Sequence, residues 1–168
     1  YNYFASGRFP YMFSADATLN GITQNIKFVL LHGKANTSPT TTSYNRRKSG
    51  SDTLNFTLNS MYANEKIVVL GDFNDDLDST ITAGINPRIS SYSAFINDNL
   101  NFVASTLPLS LAGKKSTVSY NDVIDHTVIS NEMSCYYMAN TANILTDVTT
   151  LVSNYGSSTS DHYPVFTR

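Results

Sequence analysis

Two polar side chains follow a short apolar segment, residues 66–71, whose composition is typical of a buried strand that ends at a glycine. Asp72 and Asn74 are two positions apart, so in an extended backbone their side chains lie on one side while Phe73 faces the core. A carboxylate beside an amide can hold an attacking water and donate a hydrogen bond to a phosphoryl oxygen. Because glycine, aspartate and asparagine are common turn residues, an ordinary turn is the alternative interpretation of this segment alone.

Two Asp-His pairs offer the groups that acid–base chemistry needs. Asp161 supplies a hard oxygen ligand suited to Mg²⁺ or Ca²⁺, and His162 can serve as a general base or as a donor to a phosphate. Asp125 lies in an apolar segment, residues 123–129, where an unpaired carboxylate is costly, so we predict that it orients His162. The alternatives are a surface turn for the second pair and a solvent-facing strand for the first, which would leave His126 buried.

Other charged residues are interpreted more simply. His32 follows the apolar residues 26–31, where it either contacts a phosphate or is an ordinary residue at the rim of the sheet. Arg46 and Arg47 are interpreted as exposed residues near the start of a helix that serve solubility, and a place at the rim of the cleft is the alternative. The acidic residues that follow Asn74 are interpreted as a solvated acidic turn rather than as metal ligands, namely Asp75, Asp76 and Asp78. The residues predicted to bind substrate at the rim of a cleft are Arg8, Lys114, Lys115 and Tyr120.

The elements that must position these groups follow from local patterns. Asn20-Gly21 predicts a β-hairpin over residues 11–31, with residues 26–31 buried on both faces. Helices are predicted over 44–62, with an irregularity at Gly50, and over 90–98. Residues 105–122 are predicted to form a long loop, and further strands are expected at 123–129, 144–152 and 163–167. Loosely alternating strands and helices with a hairpin indicate an α+β domain with a mixed sheet.

Composition limits the classes of function. The chain has 168 residues, 14% of them charged, and a net charge of -2, which argues against a broad basic surface for nucleic acid but not against a narrow phosphate-binding cleft. Serine, threonine and asparagine make up about a third of the residues. The single cysteine, Cys135, excludes an internal disulfide and a thiolate metal cluster. No apolar run is long enough to span a membrane.

Taken together, four motifs resemble those of the endonuclease/exonuclease/phosphatase superfamily, which includes deoxyribonuclease I-like and exonuclease III-like enzymes. The matching residues are His32, Gly-Asp-Phe-Asn at 71–74, Ile-Asp-His at 124–126 and Ser-Asp-His-Tyr-Pro-Val at 160–165. The resemblance covers essentially the whole chain. It implies a four-layer αββα sandwich with mixed, mainly antiparallel sheets.

The resemblance also implies roles for individual residues. Asp72 and Asn74 would position the attacking water or leaving oxygen, and His162, oriented by Asp125, would bind the scissile phosphate or act as base. His32 would donate to a phosphate oxygen, and Asp161 would bind the metal. The implied reaction is in-line hydrolysis of a phosphoester with Mg²⁺, Mn²⁺ or Ca²⁺.

The sequence departs from the family in one respect. The family begins with an Asn-bearing strand and a Gln-Glu motif whose glutamate is the principal metal ligand, and neither Glu65 nor Glu132 has that context. We therefore expect residues 1–168 to be one domain that corresponds to the C-terminal two thirds of the family's domain, inactive by itself. Asp16 as a substitute ligand is the less favoured alternative. An exposed sheet would be covered by the N-terminal part of the same domain or by self-association.

The intact protein is expected to be a nuclease acting on DNA or RNA. The alternatives are a phosphatase or sphingomyelinase-like phospholipase of the same superfamily, or a non-catalytic phosphate-binding module. The polar, tyrosine-rich and charge-poor composition resembles that of secreted bacterial relatives, so an extracellular location is expected.

Overall fold

The first elements of the described part of the chain are the two strands of a long β-hairpin. The computed structural model describes residues 8–168, and in it β1 (Tyr11–Leu19) pairs antiparallel with β2 (Ile22–His32). Asn20 and Gly21 have φ values of 53° and 79°, the left-handed conformation that a two-residue hairpin turn requires. The predicted hairpin is confirmed.

Among residues 8–168, five strands form one mixed sheet in the order β1-β2-β3-β5-β4. The remaining strands of this sheet are β3 (Ile67–Asp72), β4 (Phe102–Ala104) and β5 (Asp125–Ser130). Strand β3 is parallel to β2 and antiparallel to β5. The parallel pair is joined by helix α1 (Thr40–Met61), which starts four residues earlier than predicted and continues through Gly50 without a break.

The main core lies between one face of this sheet and the helices. Val29 and Leu31 of β2 and Val69 of β3 are buried against a cluster that includes Leu58 of α1 and Phe95 of α2 (Ser93–Asn97). Leu30, between the two buried positions of β2, is 43% exposed. The prediction that residues 26–31 are buried on both faces was therefore wrong, because the strand alternates between a core face and a face open to solvent.

The second half of the chain consists of short elements. They are α3 (Leu107–Leu111), a 3-10 helix (Asn131–Tyr136), β6 (Asn143–Ile144), α4 (Val148–Leu151), α5 (Tyr155–Ser158) and β7 (Val165–Phe166). Strands β6 and β7 form a separate antiparallel pair. Two predictions were wrong here, because 144–152 is mostly turn and helix and 105–122 contains α3. In the described part of the chain, no helix combines the length and apolarity needed to cross a membrane.

Candidate active site

Three of the predicted site residues form a row across the sheet. In the strand register His32 of β2 lies beside Asp72 of β3, and Asp72 lies beside Asp125 of β5. Neighbouring strands are about 4.8 Å apart, so the row brings the three side chains within reach of one substrate group. The His32 Nε2 atom is 3.6 Å from Asp72 Oδ2. The sheet therefore gathers residues that are 93 positions apart in sequence (32 to 125).

Asn74 fixes the carboxylate of Asp72. The Asn74 backbone N–H donates to Asp72 Oδ1, and its Nδ2 donates to Asp72 Oδ2, both at 2.8 Å. Asn74 has a φ of 53°, a left-handed conformation that asparagine tolerates better than most residues. Nδ2 also donates to the Gly33 carbonyl at 3.3 Å. Both amide hydrogens are thus engaged within the protein, which leaves Oδ1 of Asn74 as the atom free to meet a ligand.

Burial raises the pKa of Asp72, and the nearby charge of Asp125 raises it further against the opposing hydrogen bond from Asn74. Two glycines allow the close packing behind this carboxylate. A Cβ at Gly71, whose φ is 139°, would lie 2.0 Å from the Leu31 carbonyl oxygen. A Cβ at Gly33 would lie 2.2 Å from the carbonyl oxygen of Phe73. A side chain at either position would push β2 and the residue after it away from residues 71–74, which carry Asp72 and Asn74.

His162 and Asp125 form the predicted pair. Nδ1 of His162 lies 2.8 Å from Asp125 Oδ2 and 3.0 Å from Oδ1. Because a carboxylate only accepts, Nδ1 carries the proton and Nε2 is the atom that can accept a proton or, once protonated, donate to an anion. Burial lowers the pKa of His162, but the hydrogen bond and charge of Asp125 outweigh it and the net shift is upward.

Ser116 is a third member of this group that the sequence analysis missed. Its Oγ donates to Asp125 Oδ2 at 2.7 Å and accepts from the backbone N–H of Ile124 at 2.9 Å. The backbone of the same segment pairs with the motif that carries His162: Tyr163 N–H donates to the Ser116 carbonyl, and Val118 N–H donates to the Asp161 carbonyl, each at 2.8 Å. Residues 116–118 therefore hold the segment that carries His162 against β5.

Arg8 lies beside His32. The Nη1 atom of Arg8 is 3.2 Å from His32 Nδ1. Because a guanidinium only donates, Nδ1 of His32 is the acceptor, and the ring proton of His32 lies on Nε2, towards Asp72. The two residues extend the row of His32, Asp72 and Asp125 at the β2 side. Arg8 is thus next to the site, and substrate binding by Arg8 stays a prediction.

The other predicted substrate-binding residues lie in two different places. Tyr120 lines a cleft of about 250 Å³ together with Asn74. Lys114 and Lys115 line another cleft, with Asn143 and Thr146 of the β6 region. Substrate binding by these lysines stays a prediction.

The described residues do not make up a complete metal site. Among residues 8–168 there is no group of three or more His, Cys, Asp or Glu that could hold a metal ion. Asp161 is exposed beside His162, while Asp72 and Asp125 are engaged by protein donors. Asp16 accepts a hydrogen bond from its hairpin neighbour Asn25. Asn25 is seven residues from His32 along β2, a distance of about 23 Å in a strand, so Asp16 cannot replace a ligand at this site.

The acidic segment after Asn74 is structural. Asp75 and Asp76 are 0% and 5% exposed, so the interpretation as a solvated turn was wrong for both, and Asp78 alone is exposed. Arg47, interpreted from sequence as a solubility residue, is 1% exposed and its Nε lies 3.7 Å from Asp75 Oδ2. These charges are tolerated because each is surrounded by hydrogen-bonding partners.

His126 is also structural. It is buried, with Nε2 donating to the Val123 carbonyl at 2.8 Å and Nδ1 accepting from Thr106 Oγ1 at 3.0 Å. Its ring packs edge-on against Phe73. Burial lowers the pKa of His126 to about 3, so the ring is neutral at physiological pH.

The mixed sheet with helices packed on one face and the small second sheet match part of the deoxyribonuclease I-like αββα sandwich, the fold of the solved structures described below. No protein-family model matches the sequence. No curated protein matches it either.

Solved structures share this fold. An endonuclease/exonuclease/phosphatase protein from Beutenbergia cavernae is 15% identical with a TM-score of 0.53, over 94% of this chain and 38% of that one. Humanised TDP2 from D. rerio is 11% identical with a TM-score of 0.52, over 93% and 56%. Beta toxin from Staphylococcus aureus is 13% identical with a TM-score of 0.50, over 95% and 57%. The chain thus spans roughly half the length of the structures it matches.

Proposed function

We propose that this chain is part of a divalent-metal-dependent phosphodiesterase, and that nucleic acid is its substrate. The observation that carries the proposal is the 2.8 Å contact between His162 Nδ1 and Asp125 Oδ2, beside the row in which Asp72 is held by Asn74. An oriented imidazole next to a fixed carboxylate suits proton transfer at a phosphoester. The similarity in fold to an endonuclease/exonuclease/phosphatase protein supports the same class.

His162 is the proposed proton-transfer group. Its Nε2 either accepts the proton of the attacking water or, when charged, donates to a phosphate oxygen. The two roles predict opposite pH profiles, since a base must be neutral and a donor must be protonated. A rate that rises with pH through the pKa of His162 identifies the base, and a rate that falls identifies the donor.

Asp161 is proposed as one ligand of Mg²⁺, Mn²⁺ or Ca²⁺. A bound divalent cation neutralises charge on phosphate oxygens. Because the described residues lack a cluster of three candidate ligands, the 168-residue chain should bind the metal weakly and show little turnover. Calorimetric titration with Mg²⁺ and Mn²⁺ tests the affinity, and tight binding by this chain alone would contradict the expectation.

A substrate panel tests the proposal on the longest natural protein that contains the chain. Plasmid DNA, RNA, sphingomyelin and inositol phosphates are offered with Mg²⁺ or Mn²⁺, and DNA or RNA should be cleaved. The variants His162→Ala and Asp125→Asn should each lower the rate by about 10² to 10⁴. Asp78→Asn, which neutralises an exposed aspartate outside the site, is the control. Preferred cleavage of sphingomyelin or inositol phosphates would overturn the choice of substrate, and no hydrolysis at all would favour a non-catalytic module.

Secretion is the proposed location. It is supported by the low proportion of charged residues, 14%, and by the abundance of serine, threonine and asparagine. Immunodetection in fractionated cultures of the natural host is the test. Protein confined to the cell interior would contradict it.

A further inference from the structure

A polar cleft lies directly beside the proposed reaction centre and is distinct from the row of His32, Asp72 and Asp125. Its volume is about 250 Å³, and its walls include Asn36, Thr37, Asn74, Ile81, Tyr120 and Asp122. These residues come from the loops that follow β2 and β3 and from the loop that precedes β5. Asn74 belongs both to this cleft and to the site, so a group bound here would be next to the scissile phosphate.

The hydrogen-bonding groups of the cleft are fixed by the protein. Oδ1 of Asn36 accepts from Thr82 Oγ1 at 3.0 Å, so its Nδ2 is the end available to a ligand. Nδ2 of Asn74 is engaged by Asp72 and Gly33, so its Oδ1 is available. The cleft therefore offers a ligand one donor, Nδ2 of Asn36, and one acceptor, Oδ1 of Asn74.

The loops that form one wall are held from behind by Arg47. Its Nη1 donates to the Lys34 carbonyl and its Nη2 to Thr82 Oγ1, both at 2.7 Å. Thr82 in turn holds Asn36. Because Arg47 is buried and paired with Asp75, the anchor of this wall lies in the protein interior. The wall that carries Asn36 is therefore held in place from behind.

The lining of the cleft combines one carboxylate with aromatic and aliphatic surface. Asp122 contributes the carboxylate, and no Lys, Arg or His is among the described residues that line the cleft. The Lys34 Nζ atom donates to two lining residues, to Thr37 Oγ1 at 2.6 Å and to the Ala35 carbonyl at 3.1 Å. Tyr120, 59% exposed, offers an aromatic face, and Ile81 an aliphatic one. A flat, uncharged group with hydrogen-bond donors and acceptors matches this set.

We propose that the cleft binds a nucleobase flanking the scissile phosphate of single-stranded nucleic acid, with a preference for a base that carries an exocyclic amino group. The base would stack on Tyr120, and its amino group would donate to Asp122. Cytosine presents the N4 amino donor where thymine presents the O4 acceptor, so the carboxylate favours cytosine. The inference rests on the proposed function and specifies its substrate.

Binding of short oligonucleotides to the full chain tests this without requiring turnover. Fluorescently labelled tetranucleotides of cytosine and of thymine are titrated in EDTA, and the affinity for cytosine should be about tenfold higher. Asp122→Asn should bring the ratio close to one. Tyr120→Leu should weaken both by about tenfold or more, because stacking is indifferent to the base. Asp78→Asn, an exposed aspartate elsewhere, should leave the ratio as in the wild type.

Equal affinities in the wild type, an unchanged ratio in Asp122→Asn, or no binding of either oligonucleotide would overturn the inference. So would tighter binding of phosphocholine than of cytidine monophosphate. Hydrolysis of bis(p-nitrophenyl) phosphate, which has no base, by the longer protein tests the proposed function separately. Turnover without base preference would refute the nucleobase site alone, and base preference without turnover would refute the proposed activity alone.

Discussion

Replacing Arg47 by methionine should destabilise the protein severely, although Arg47 lies outside the proposed site. Its guanidinium is buried and has four partners: the carboxylate of Asp75, the Lys34 carbonyl, and the hydroxyls of Thr82 and Ser91. Arg47→Met leaves Asp75 as a buried charge without its cation. Removing one member of such a pair costs about 3–5 kcal/mol, a large part of the ~5–15 kcal/mol by which a typical domain is stable.

The measurement is unfolding by urea and by heat, both followed by circular dichroism, with Lys48→Met as the matched control on the same helix. Lys48 pairs with Asp52 on the surface of α1, and an exposed i,i+4 pair contributes about 0.3–0.5 kcal/mol. Because melting temperature changes by about 2–4 °C per kcal/mol in a domain of this size, Arg47→Met should melt roughly 10 °C lower. Arg47→Lys keeps the charge but loses the planar guanidinium, so its melting temperature should lie between those of Arg47→Met and Lys48→Met.

A double-mutant cycle separates the charge pair from the other contacts. Asp75 also accepts hydrogen bonds from Thr80 Oγ1 and from the backbone N–H of Ile81. Asp75→Asn removes the orphaned charge, so the Arg47→Met/Asp75→Asn protein should be less destabilised than the sum of the single changes, by about 0.5–3 kcal/mol. The reasoning fails if Arg47→Met stays within about 1 kcal/mol of the wild type, or if the two changes are additive.

Three further predictions concern protonation and association. Because the pKa of His162 is raised in the folded protein, the contribution of His162 to stability is present below its pKa in the unfolded chain and is lost as pH rises through its pKa in the folded protein. Asp125→Asn should lower the pKa of His162 in an NMR titration, and an unchanged pKa would contradict the pairing. His126, with a pKa of about 3, should show no titration between pH 5 and 8, and a transition in that range would contradict its burial. The exposed sheet face with Phe13 and Leu30 should make the 168-residue chain self-associate unless another segment covers this face, and Leu30→Glu should reduce the association. A monomeric wild-type chain in sedimentation, with the face uncovered, would contradict this.

The parts of the fold that could be predicted from sequence are those that local chemistry determines. Asn20-Gly21 favours a tight hairpin turn wherever it is placed, and the β-branched residues of β3 end at a glycine whose φ of 139° few other residues adopt. The start of α1 was missed because the residue before it, Pro39, makes no side-chain capping bond and so leaves no cap signature.

The short elements of the second half could not be predicted in this way. Residues 144–152 have apolar residues at spacings that suit a strand or a helix. What decides is a distant partner: Ile144 pairs with Val165 of β7, and only two residues of β6 find such a partner before the chain turns into α4. Pairing across 21 positions has no local signal.

The sequence motifs predicted most of the candidate site, but they did not predict Ser116. His32, Asp72, Asp125 and His162 follow from motifs, and the strand register or direct hydrogen bonds bring them together. Ser116 was missed because a serine carries no sign of its partner. It is held beside Asp125 by the pairing of its loop with residues 161–163 and by hydrogen bonds to the backbone of residues 122–125.

The buried aspartates show why composition was misleading directly beside the motif. Asp72, Asp75 and Asp76 follow one another within five positions, yet Asp72 faces the site while Asp75 and Asp76 are in the interior. The cost of burying Asp75 is offset by Arg47, 28 positions upstream, and by Ser91, 16 positions downstream. These long-range partners fix the loop immediately after Asn74, so the charges that resemble a solvated turn in sequence hold Asp72 and Asn74 in place.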